Sequence, residues 1–250
     1  MSEPRASGEA MNEAGAGIAE LEAGWHSPKG RAIREVVFGM HDGLITTIGF
    51  LSGVNAASAS LRVIVIAGLA EAFAQTLSMG FGAFLSTKSE REFYQREITR
   101  ERLEIEIAPE RERDEMRQIY RSKGFPDDEV EVVVARMTAN RELWLKTMMM
   151  EELGLIEERF DNPLKVGLLI GASSFVGAFF PILPYFFLDL KWAFTASVAL
   201  AASALFATGA GKTFLTGKVW WRSGIEMMGI GLLVSVAGYG IGHFLGALWY

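Results

Sequence analysis

Glu97-Ile98-Thr99-Arg100-Glu101-Arg102-Leu103-Glu104-Ile105-Glu106-Ile107-Ala108-Pro109-Glu110-Arg111-Glu112-Arg113-Asp114-Glu115 is the centre of the one sizeable polar region in the chain, and it lies between two strongly apolar parts. Residues three or four apart on a helix share a face, so Glu97, Glu101 and Glu104 fall on one stripe. Glu112 and Glu115 fall on a second, beyond the break at Pro109. Like charges so placed repel by about 0.2–0.5 kcal/mol per pair on a solvated helix, and by more when buried, unless a cation lies between them. A divalent metal ion is the natural neutraliser.

Downstream, Met148-Met149-Met150-Glu151-Glu152 brings softer ligands. Met148 and Met149 precede Glu152 by a helical turn, so both thioethers can share its face. Oxygen ligands alone suit Mg²⁺ or Ca²⁺, whereas thioether sulfur shifts the preference toward transition metals such as Fe²⁺. A plainer reading stands beside this one. Acids interleaved with arginine commonly form solvated faces, and clustered methionines commonly fill cores.

Charge is unevenly distributed. Of 30 acidic residues 20 lie between Lys88 and Asp161, with 14 of the 24 basic ones, so this stretch carries the whole net charge of −6. The remainder is neutral and apolar, which argues against a nucleic-acid binder. The absence of cysteine excludes disulfides and thiolate metal ligands. None of His26, His41 and His243 stands three residues after a glutamate, so the Glu-x-x-His signature of di-iron bundles is missing.

Taken in order, residues 1–31 are rich in Ala, Gly and Glu, without the pattern of a signal peptide, and read as a flexible tail with a short helix near Ile18 to Ala23. Lys29, Arg31 and Arg34 precede an apolar segment, Val36 to Val54, long enough to span a bilayer. The positive-inside rule makes that end cytoplasmic. A second span, Val63 to Leu85, returns the chain to the same side, so residues 87–163 are expected in the cytoplasm. The second span should continue as one helix to Ile107, since neither Gly nor Pro interrupts Glu90 to Ala108. Three further helices follow: Glu110 to Ser122, closed by Gly124; Asp127 to Ala139, packing through Val130, Val132, Val133 and Val134; and Arg141 to Ile156, capped by Asn140.

Three more spans are expected at Leu164 to Leu188, Trp192 to Gly211 and Gly224 to Leu248, with Pro181 and Pro184 breaking the first of them. Gly238, Gly242 and Gly246 recur every four residues in the last, a pattern that permits close helix contact. The fold class is therefore an all-α membrane protein: five transmembrane helices with a helical cytoplasmic domain inserted between spans 2 and 3. Its parts are the tail 1–31, spans 1 and 2 at 32–86, the metal-binding domain 87–163, and spans 3 to 5 at 164–250. The N-terminus lies in the cytoplasm and the C-terminus on the far side.

Two acids fall inside spans, Asp42 in the first and Glu71 in the second. Each costs about 2.5–3.5 kcal/mol on insertion scales, so an intramembrane acid is read as a functional site unless a partner explains it. Glu71, Gln75, Ser78 or Met79, Gly82 and Ser86 recur at helical spacing, a polar and small-residue stripe suited to a wet path. Met79 facing Asp42 repeats the pairing of carboxylate and thioether.

Asp42-Gly43-Leu44-Ile45-Thr46-Thr47, Glu71 to Met79-Gly80, the Glu-rich segment through Pro109, and Met148-Met149 with Glu152-Leu153-Gly154 together resemble the vacuolar iron transporter family, over residues 32 to 250. The resemblance implies a homodimer in the lipid bilayer that moves Fe²⁺, and in some members Mn²⁺, out of the cytosol in exchange for protons, along a path at the dimer interface. It implies a membrane metal site at Asp42 and Met79, with Glu71 as coupling carboxylate. It also implies a cytoplasmic site of Glu101, Glu104, Glu112, Glu115, Met148, Met149 and Glu152. Met150 and Glu151 depart from the family pattern, where a basic and an apolar residue are expected, and could widen the site or compete as ligands. No cofactor is implied; Fe²⁺ is cargo. The membrane would be the plasma membrane in a prokaryote and the vacuolar membrane in a plant or fungus. Two other readings are a membrane-tethered ferroxidase, against which the missing Glu-x-x-His and the oxidisable methionines argue, and a metal sensor or buffer, which would leave Asp42 and Glu71 idle.

Overall fold

The computed structural model describes residues 28–57, 60–154, 161–213 and 217–249. The expected helix near Ile18 to Ala23 and the end of the expected helix at Ile156 lie outside them. Among the described residues every regular element is helical: α1 Pro28–Ala56, α2 Leu61–Ile107, α3 Pro109–Ser122, α4 Asp127–Met137, α5 Arg141–Glu151, α6 Pro163–Ile182, α7 Pro184–Phe187, α8 Leu190–Gly211 and α9 Trp220–Trp249. They form two compact units, one from the chain before Phe84 and after Pro163, the other from Phe84–Pro163. Residues of α2 before Phe84 belong to the first, the rest to the second.

In the first unit α1, α2, α6, α8 and α9 are each long and apolar enough to cross a membrane. Their outward faces are apolar too: Phe81 is 62% and Val236 72% exposed. So large an uncovered apolar surface suits lipid, not water. Inside the unit, small residues set the spacing. A Cβ on Gly238 or Gly242 of α9 would collide with the carbonyl oxygen of Gly49 or Gly53 on α1, so the close contact expected from the glycine repeat is made with α1. On another face of α1, a Cβ on Gly43 would collide with the backbone at Ser174 of α6. Where the chain passes from α6 to α7, the carbonyl of Pro181 accepts from Ser197 Oγ of α8 at 2.5 Å, satisfying a backbone group at the proline break. That break ends α6 at Ile182, six residues short of the expected Leu188.

The second unit packs the end of α2 with α3, α4 and α5 around Ile105, Met116, Tyr120, Val130, Val134, Trp144, Leu145, Met148 and Met149. α3 begins at Pro109, where a missing N–H costs nothing, and carries Glu110 and Glu112 in its first turn, favourable to the helix dipole. It ends as expected at Gly124, in the left-handed region at φ 92°, with Phe125 N–H donating to Tyr120 O. Asn140 caps α5, its Oδ1 accepting from the N–H groups of Glu142 and Leu143 at 2.9 and 3.1 Å. α4 stops at Met137, two residues before the expected Ala139, and α5 at Glu151. Val132 corrects one expectation: it is 70% exposed, because at 100° per residue it cannot share the face that buries Val130 and Val134.

Candidate metal centre

Three helices of the second unit converge on a carboxylate cluster. Glu101 of α2, Glu112 of α3 and Glu152, just past α5, offer oxygens all within 4.8 Å of one another. Glu101 and Glu112 follow from helical spacing, since each lies one turn before a core residue, Ile105 and Met116, on the same face. Burial at the edge of that core leaves Glu101 3% and Glu112 0% exposed. Oε1 of Glu101 and Oε2 of Glu112 are buried with no donor from any other group, and the two carboxyls are close enough to share a proton. Once that proton leaves, two buried carboxylates stand together with no donor between them, a charge that a bound cation would neutralise.

Electrostatics agree. Burial, and then the charges of Glu152, Glu112 and Glu104, push the Glu101 carboxyl up to about 8. Burial also raises Glu112, followed by the charge of Glu115, with Arg111 opposing. Glu152 is raised by burial and then by Glu115, Glu112 and Glu104. The metal-free cluster thus holds a proton near neutral pH, where a metal ion would displace it.

Glu104 and Glu115 stand beside this triplet and are tied to it through Arg111. The guanidinium lies 3.1 Å from Glu112 Oε1, 3.6 Å from Glu104 Oε1 and 3.4 Å from Glu115 Oε1. Spacing in the sequence does not single out Arg111, because arginines recur throughout the stretch. Met148 and Met149 are buried in the core with Ile105 and Met116, on the helix that leads into Glu152. Met150 is 48% exposed and Glu151 pairs with Lys123. Neither of the two departures from the family pattern joins the triplet.

In the first unit, Asp42 of α1 and Glu71 of α2 each have a neutral partner on the other helix. Gln75 Nε2 donates to Asp42 Oδ2 at 2.7 Å, and Thr47 Oγ1 donates to Glu71 Oε2 at 2.9 Å. Oε1 of Glu71, Oε1 of Gln75 and Nε2 of His41 are buried without partners. Met79 follows Gln75 by one turn and is half-buried. Gln75 sits in the polar stripe read from the sequence; its bond to Asp42 depends on how α2 is rotated against α1, which the stripe does not specify.

A family model described as the VIT family matches residues 33–243. The chain is similar to vacuolar iron transporter 1 of Arabidopsis thaliana, 35% identical over 215 residues that cover 86% of each chain. It is similar to vacuolar iron transporter 1 of Oryza sativa subsp. japonica, 36% identical over 217 residues and again 86% of each. The vacuolar iron transporter of Toxoplasma gondii is 31% identical over 227 residues, 85% of this chain and 74% of that one.

Proposed function

The chain belongs to the VIT family of membrane metal-ion transporters, and on that premise we propose that it carries Fe²⁺ out of the cytosol in exchange for protons. The observation that carries this reading is the pair of buried carboxyls of Glu101 and Glu112 gathered with Glu152 within 4.8 Å, two of their oxygens without a donor from any other group.

In this reading residues 87–163 lie in the cytoplasm, as does the N-terminus. The cluster captures the ion, with Glu104 and Glu115 completing an oxygen-rich site and Met148 and Met149 adding thioether sulfur that favours Fe²⁺ over Mg²⁺. In the membrane Asp42, Glu71 and Met79 form the path. Hydrogen bonds from Gln75 and Thr47 hold the two carboxylates in place, and their neutral partners leave the charge free for a cation. Protons arriving from the far side compete for the same oxygens and release the metal, since ligands bind it only when deprotonated. Two copies of the chain make the transporter, and Mn²⁺ is a second cargo.

The test is Fe²⁺ uptake by proteoliposomes under a pH gradient. Wild-type protein should show gradient-dependent uptake, and Asp42→Ala should abolish it. Uptake by Asp42→Ala equal to wild type would remove Asp42 from the path, and uptake indifferent to the gradient would end the proton exchange.

A further inference from the structure

The carboxylate cluster already contains a cation. Arg111 forks into it, reaching Glu112, Glu104 and Glu115 at 3.1, 3.6 and 3.4 Å, while most of its own side chain, 58%, remains open to solvent. It binds one oxygen of Glu112, Oε1; the other, Oε2, takes no bond from the guanidinium, and the same side chain belongs to the triplet with Glu101 and Glu152. Glu112 therefore belongs both to the triplet and to the ion pairs of Arg111.

We propose that Arg111 is a built-in stand-in for the metal: it neutralises Glu104, Glu112 and Glu115 while the site is empty and is expelled when the ion enters. Three observations support the exchange. A dication held by Glu101, Glu112 and Glu152 would share Glu112 with the guanidinium, and two cations on one carboxylate repel at such range. Hard or borderline divalent ions take about six ligands, more than three carboxylates give singly, and Glu104 and Glu115, whose charges act on the triplet, are further oxygen donors. Arg111 pairs with both, sharing Glu104 with Arg100, whose Nε donates to it at 3.2 Å. Finally, an arginine already largely in water leaves at small cost, whereas a buried one would not.

The exchange sets how tightly the site holds its cargo. Every ion bound must displace the guanidinium, which weakens binding, and returning Arg111 assists departure. A transporter needs that reversibility, whereas a storage site does not. Arg111 is on this view a tuning residue, not a ligand. A residue that merely braced the cluster would act with opposite sign, since its removal would loosen the site.

This inference rests on the cluster being a metal site, and the experiment separates the two. Mn²⁺ is titrated into the full chain in detergent and followed by the loss of its free-ion EPR signal, with thermal midpoints measured with and without Mn²⁺. Arg111→Gln should tighten binding on the order of tenfold, since three partly exposed pairs no longer have to be given up. It should lower the midpoint of the empty protein while leaving that of the Mn²⁺-loaded protein unchanged. Arg111→Lys, which keeps the charge without the fork, should fall between Arg111→Gln and wild type. Weaker or unchanged binding in Arg111→Gln, with Glu112→Gln abolishing it, would overturn the role of Arg111 and leave the site standing. Wild-type affinity in Glu112→Gln would overturn the site itself, and this inference with it.

Discussion

Gln75 Nε2 donates to Asp42 Oδ2 across 2.7 Å, joining α2 to α1 at an acid placed within an apolar helix. A hydrogen bond to a charged group is worth about 1.5–3 kcal/mol, and most of that is lost when the donor is removed. Gln75→Leu is expected to lower Fe²⁺ uptake into proteoliposomes by on the order of tenfold or more. Unchanged uptake would mean that the amide only packs.

Metal affinity should rise with pH. Glu101 titrates near 8 in the empty site, so below that an entering ion must displace its proton. Mn²⁺ affinity should fall by about tenfold per unit as pH drops below about 8, and level off above it. Glu101→Gln should weaken binding and flatten the slope; a pH profile in that variant matching wild type would assign the proton elsewhere.

The same proton bears on stability. The folded-state value of about 8 lies above the ordinary 4.5, so between the two the folded protein holds a proton that the unfolded chain has released. The contribution of Glu101 is then full below about 4.5 and is lost as pH rises through about 8. Thermal melts of the metal-free protein should show the midpoint declining from about pH 5 to pH 8, less steeply in Glu101→Gln. Saturating Mn²⁺ should restore the midpoint at the alkaline end. A midpoint that climbs over this range would contradict the burial of an uncompensated Glu101.

Glu151 and Met150 are expected to be dispensable for binding. Glu151 is engaged by Lys123 and Met150 faces outward. Titrations of Glu151→Ala and Met150→Leu should overlay wild type within about twofold, whereas Glu152→Gln should lose on the order of tenfold or more. A large loss in Glu151→Ala would place it among the ligands.

Gly242→Ala should destabilise the membrane unit, because the added methyl meets the carbonyl of Gly53, and backbone cannot swing aside. Overpacking of this kind costs about 1–3 kcal/mol. Gly240, on the same helix with open space around its Cα, is the control. Melts in detergent should show a lower midpoint for Gly242→Ala alone; equal midpoints would show that the seam yields.

Much of the fold was legible because its signals are local. Five apolar segments of spanning length, Pro109 as a helix break, Gly124 as a left-handed stop and Asn140 as a cap all act within a few residues of themselves. The carboxylates were legible as a class, since acids at helical spacing announce their own repulsion. Which of them meet was not. Glu101, Glu112 and Glu152 come together through the packing of Ile105, Met116 and Met148, which no spacing within one helix specifies. The role of Arg111 was hidden by the abundance of arginines around it, and four neighbouring valines concealed that Val132 must face outward.

Along α1, contact with α6 and α9 is made in part by bare main chain at Gly43, Gly49 and Gly53. Such a seam has no rotamers to exchange, so α1 cannot turn about its own axis without driving carbonyls into neighbouring backbone. The aim of Asp42 is thereby fixed like a post in a frame. Helix α2 is seated on α6 in the same manner at Gly80 and Gly171, so the acids of α1 and α2 are carried on a frame that moves by sliding or hinging of whole helices and not by swivelling of one.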